Sequence, residues 1–100
     1  MDTLTTAEAN QRFGQWLKIK RDAAGLTVSG FARHLESIGC DGILGSYRFY
    51  ESGKQMPLSP MAPRLIEALE DDPKVRLEML AARLRITAEA LESLLGLTSE

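Results

Sequence analysis

The stretch RDAAGLTVSGFARHLESI, residues 21–38, holds a helix end, a turn and a helix start in close succession. Gly25 follows two alanines and sits where a left-handed C-terminal cap is expected, because glycine has no Cβ to oppose that conformation. Leu26 then reads as a staple residue and Thr27 as the N-cap of a second helix. Phe31, Ala32, Leu35 and Ile38 are expected on that helix's inner face. Working backwards, Phe13, Trp16, Leu17 and Ile19 recur near a 3.6-residue period between Thr6 and Ala24, which predicts a first helix. Working forwards, Gly39, Asp41, Gly42 and Gly45 leave the start of a third helix open, near Ile43. That helix should turn Tyr47 and Tyr50 inward and stop at Gly53. Met56-Pro57-Leu58-Ser59-Pro60 reads as an extended connector, since a residue before proline is pushed out of helical space.

The remaining residues continue the helical pattern. A fourth helix from Ala62 to Glu70 should bury Leu65, Ile66 and Leu69. Asp72 and Pro73 form a cap and a first helical position, opening a fifth helix. Its residues Leu77, Leu80, Ala81 and Leu84 make one apolar stripe. Thr87 restarts a sixth helix, with Ala90, Leu91, Leu94 and Leu95 expected inward before Gly96. No segment alternates as a strand would. The fold class predicted is all-α: a five- to six-helix domain with a C-terminal helical extension.

Composition narrows the class further. Hydrophobic residues are 44% and charged residues 26% of 100, a globular balance for one domain, with a core thin enough to welcome a partner chain. No apolar run reaches the length of a membrane span, and the first dozen residues are polar, so a cytoplasmic protein is expected. A lone cysteine, Cys40, excludes an internal disulfide. The net charge of −2 is unevenly spread: +2 over residues 1–64 and −4 over residues 65–100. A basic front and an acidic tail point to different tasks for the two ends.

Together, RDAAGLT at 21–27, the Phe31-Ala32 pair and YESGKQMP at 50–57 resemble the helix-turn-helix family of phage repressors and Cro proteins, the XRE family. The resemblance covers about residues 13–70. It implies a DNA-binding domain over 1–70, followed by a helical extension over 71–100. Ala32 is small enough for the third helix to approach the second closely. The family pattern also implies an ion pair between Arg21 and Glu51, the alternative being two unrelated surface charges.

By the same resemblance the third helix enters the major groove of double-stranded DNA. Counting back from Glu51, the base-reading positions fall on Leu44, Gly45 and Phe49. These are not hydrogen-bonding residues, although apolar side chains do contact thymine methyls. Ser46 and Arg48 lie beside them, and Arg48 is the candidate for a guanine or phosphate contact, against a purely solvated role. Thr27 and Ser29 stand at a helix N-terminus, which favours phosphate. Lys54 and Gln55 follow the reading helix, and Lys18, Arg33 and Arg64 extend a basic rim. A further departure is an insert of about five residues within ESIGCDGI, expected to lengthen the second helix by a turn and enlarge the loop, and either to touch the DNA backbone or to cap the edge of the motif.

The last thirty residues offer Leu77, Leu80, Leu84, Leu91, Leu94, Leu95 and Leu97, more apolar side chains than two short helices bury against each other. A homodimer interface is expected there, the alternative being packing onto the first and fourth helices. Chemistry is expected to be absent. His34 and Cys40 form no recognisable dyad, GCDGILG lacks the lysine and strand of a phosphate-binding loop, and no cluster has metal-ligand spacing. Met56 and Met61 read as packing residues. The sequence therefore predicts a non-enzymatic, cofactor-free transcriptional regulator, a homodimeric autorepressor of phage, plasmid or toxin–antitoxin type, with a toxin as a further partner in the last case. The competing expectation is a protein–protein adaptor that keeps the scaffold without reading bases.

Overall fold

A computed structural model describes residues 2–58 and 60–96. The described residues form six helices: α1 (Thr6–Ala24), α2 (Val28–Ser37), α3 (Tyr47–Glu51), α4 (Met61–Leu69), α5 (Pro73–Arg83) and α6 (Ala88–Leu95). The protein is all-α. None of these helices is long and apolar enough to cross a membrane.

Local chemistry sets most helix ends. Thr5 and Glu8 open α1 with a reciprocal capping box, Glu8 N–H donating to Thr5 Oγ1 at 3.0 Å and Thr5 N–H to Glu8 Oε1 at 2.9 Å. Gly25 closes it in the left-handed region, at φ 70°. Thr27, Asp72 and Thr87 accept backbone N–H bonds at the starts of α2, α5 and α6.

Phe13, Leu17, Phe31, Leu35, Ile43, Tyr47 and Leu65 form the fully buried centre, with Trp16 and Met79 at its margin. Phe31 meets Tyr47 edge to face with ring centroids 5.6 Å apart, and Phe13 meets Trp16 at 5.2 Å. α5 packs on both α1 and α4, so Met79 and Val75 join the cluster that contains Phe13. Thr3 and Ile86 pair in an isolated antiparallel bridge that staples the first residues to the α5–α6 turn.

Several expectations are corrected. Ile19 is 64% exposed and Ile38 47%, because Ile19 lies off the Phe13–Trp16–Leu17 face and Ile38 caps α2 beyond its last turn. Leu94 and Leu95 point to solvent at 76% and 54% exposure, since the eight-residue α6 turns only Leu91 fully inward. The α5 stripe is divided: Leu80 and Leu84 are exposed, whereas Ala81 is buried together with Met79 and Ala82. α3 starts at Tyr47 rather than near Ile43, preceded by a turn in which Ile43 C=O accepts from Ser46 and Tyr47 N–H. The insert enlarges the loop, which buried Cys40 and Ile43 anchor to the core, while α2 stops at Ser37. Ser59 of the connector and Leu97 of the apolar set lie outside the described residues.

Candidate nucleic-acid interface

The site is built on a rigid crossing of α1 and α3. Gly14, in the middle of α1, is where the two backbones meet: a Cβ there would lie 2.5 Å from Glu51 O and 2.6 Å from Tyr50 O. Gly14 is therefore a point of close backbone approach between α1 and α3. A lone glycine inside a helical pattern was the available signal, because it costs about 1 kcal/mol against alanine unless packing requires it.

Beside this crossing, Arg21 reaches Glu51 with two bonds, Nε to Oε1 at 2.7 Å and Nη2 to Oε2 at 3.1 Å. Tyr47 Oη donates to the same Oε1 at 2.7 Å, and Arg21 Nη1 donates to Leu26 C=O at 3.0 Å. One guanidinium thus ties the end of α1, the start of the α2 region and α3. Burial opposes ionisation of Glu51, yet the bonds from Arg21 and Tyr47 outweigh it and hold the carboxyl below its ordinary value. The bond to Glu51 raises Arg21 further, and burial, then donation to Glu51, pushes the Tyr47 hydroxyl far above the usual tyrosine range. At neutral pH the pair is fully charged and the tyrosine remains a donor.

This frame presents a groove of about 340 Å³ lined by Val28, Ser29, Ala32, Arg33, Leu44, Gly45, Tyr47 and Arg48. Of the residues expected to meet DNA, the structure brings Ser29, Leu44, Gly45 and Arg48 together here, with Arg33 from the rim. No carboxylate lines the groove. Leu44 is 49% exposed, and the Arg48 guanidinium lies 5.5 Å from the centre of the half-buried Phe49 ring. Ser46 is half-buried at the foot of α3. Thr27 Oγ1 accepts from Gly30 N–H at 3.1 Å, which leaves its hydroxyl hydrogen to be donated outward.

Other expected contacts sit elsewhere. Lys54 and Gln55 are exposed, their N–H groups both donating to Phe49 C=O as the chain turns after Gly53 at φ 82°. Gln55 borders a second cleft, with Arg83 and Arg85. Arg64 borders a third, with Ile38 and Cys40, and Lys18 is exposed on α1. Among the dimer candidates, Leu80, Leu84, Leu94 and Leu95 are exposed and Leu77 half-buried. Leu91 is corrected: it is 4% exposed, held in the protein's own interior, and so unavailable to a partner.

His34 stacks on Phe31 at 6.5 Å and is exposed, whereas Cys40 is buried and its thiol pushed up by desolvation. Sequence reasoning also missed Glu70. It is 6% exposed and accepts from Trp16 Nε1 at 2.8 Å, Lys20 Nζ at 2.9 Å and Asp72 N–H at 3.2 Å. Its carboxyl is held at about 2, first by Lys20 and then, against burial, by Trp16. Trp16 and Lys20 are one helical turn apart on α1, but nothing in sequence links them to residue 70.

No family model, no curated protein and no solved structure matches this chain.

Proposed function

We propose that this chain is a sequence-specific double-stranded DNA-binding transcriptional regulator that acts as a homodimeric autorepressor. The observation that carries the reading is the acid-free groove that gathers Ser29, Arg33, Leu44, Gly45 and Arg48 on a braced α2–α3 pair. Arg33 and Arg48 supply positive charge for phosphate or guanine, and Leu44 an apolar contact for a thymine methyl. Exposed leucines on α5 and α6, beside a groove where Pro63, Ile66, Leu77 and Leu80 meet Glu67 and Arg76, support a partner subunit. Such a dimer reads half-sites about 34–36 Å apart.

The exposure of Leu44 also favours the adaptor reading, so the test must separate the two. Fluorescence anisotropy is measured on the duplex upstream of the chain's own gene and on a scrambled duplex, from about 50 to 200 mM salt. The regulator reading expects preference for the native duplex, a steep loss with salt, and loss of preference in Arg48→Ala. Equal, weak binding to both duplexes would favour the adaptor. Leu84→Glu is expected to halve the mass seen in sedimentation and weaken DNA binding.

A further inference from the structure

The second cleft, about 360 Å³, lies towards the N-terminal end of α1, away from the Arg21–Glu51 pair. Thr6 and Asn10 of α1, Tyr50 of α3, Gln55, and Arg83 and Arg85 at the end of α5 border it. Two guanidiniums line it and no carboxylate does. Neither arginine has an ion-pair partner among the described residues. Arg83 Nε is buried and has no hydrogen-bond acceptor among them. Asn10, only 8% exposed, borders the same space. Buried donors are usually satisfied in native proteins, so the orphaned Nε–H marks Arg83, which borders the cleft, as a guanidinium with no acceptor of its own among the described residues.

Arg85 adds an independent observation. It stands at φ 61°, the one non-glycine residue with positive φ among the described residues. Its N–H donates to Ala82 C=O and Ile86 N–H to Ala81 C=O, which is the left-handed cap that Gly25 and Gly96 form at φ 70°. The chain thus uses glycine for this bend at two helix ends and a less suited arginine at the end that borders the cleft. Leu4 N–H to Arg85 C=O and Thr87 N–H to Asp2 C=O clamp the bend in place. Strained residues cluster at ligand sites, and this one borders the cleft.

We propose that this cleft binds a phosphoryl oxyanion, with Arg83 and Arg85 supplying charge and Asn10 and Gln55 supplying amide donors. Guanidinium forks match the acceptor-only oxygens of phosphate. The site is separate from the Arg48 groove and does not rest on DNA recognition. Its phosphoryl group comes either from a small phosphate ester or from a nucleic-acid strand.

The test uses nitrogen-15 spectra of the full chain, titrated with inorganic phosphate at constant ionic strength against a chloride control. The Arg83 Nε–H signal and the Asn10 and Gln55 side-chain amides should shift saturably. Arg83→Gln and Arg85→Gly should each weaken binding at least about tenfold. Arg85→Gly also relieves the backbone, so its loss of binding is not a loss of fold. A short duplex forms the second arm. If it moves the same signals in competition with phosphate, the group belongs to nucleic acid; if only phosphate moves them, it belongs to a small ester. Absence of saturable shifts with both, or an undiminished response in Arg85→Gly, overturns the proposal.

Discussion

Helix α1 grips two carboxylates, and they differ in what they hold. Glu51 belongs to α3 and joins Arg21 and Tyr47, so its bonds brace the element next to the Arg48 groove. Glu70 lies between α4 and α5 and joins Trp16 and Lys20, so its bonds fasten the scaffold behind. The first is a planar bidentate pair with little exposure on either side; the second uses a partly exposed ammonium and an indole. On the proposed DNA-binding reading, geometry at Glu51 therefore bears on binding, whereas Glu70 bears on stability alone.

The difference can be broken most forcefully at Glu51→Ala, which leaves Arg21 and Tyr47 without their acceptor. A loss of about 3 kcal/mol in urea unfolding is expected, together with weakened DNA binding at temperatures where the variant is folded. Gly14→Ala should come next, at about 2–3 kcal/mol, because the new Cβ meets the Tyr50 and Glu51 carbonyls. Alanine's better helix propensity acts in the opposite direction, so a net loss identifies the α1–α3 contact.

Glu70→Gln sharpens the other side. Its carboxyl is lowered from about 4.5 to about 2, so the folded state binds this proton less readily than the unfolded chain. The stability it contributes is complete above about 4.5 and is lost as pH falls towards about 2. Urea midpoints measured across that window should fall less steeply in Glu70→Gln, with a loss of about 1 kcal/mol at neutral pH and unchanged DNA binding. The smallest effect is expected for Lys20→Ala, about 0.5 kcal/mol by thermal unfolding, because its ammonium is partly solvated. Changed DNA affinity in Glu70→Gln, or an unchanged one in Glu51→Ala, would undo the division of roles.

Much of the fold was legible because its signals are local. Thr27, Asp72 and Thr87 cap helices within two or three residues of themselves, and Gly25 bends the chain at its own φ. Phe13, Trp16 and Leu17 declare a face by spacing alone. The Arg21–Glu51 pair and the candidates Leu44, Gly45 and Arg48 came instead from family resemblance and Ser29 from its place at a helix N-terminus, and the structure lines one groove with Ser29, Leu44, Gly45 and Arg48. Leu94 and Leu95 of α6 misled as inward-facing residues because periodicity marks a stripe without saying whether the chain itself covers it.

By itself, then, the sequence determined the helices, most of their caps, the all-α class and the uneven charge. Those features depend on backbone conformation, side-chain volume and spacing within one or two turns. Only the tertiary structure decided that Gly14 is the crossing point, that Glu70 gathers Trp16 and Lys20, and that Leu91 is spent inside. It alone brought Asn10 near Arg83 and Arg85. These contacts join residues tens of positions apart, and their energies exist only once the packed helices exclude water and bring those side chains together.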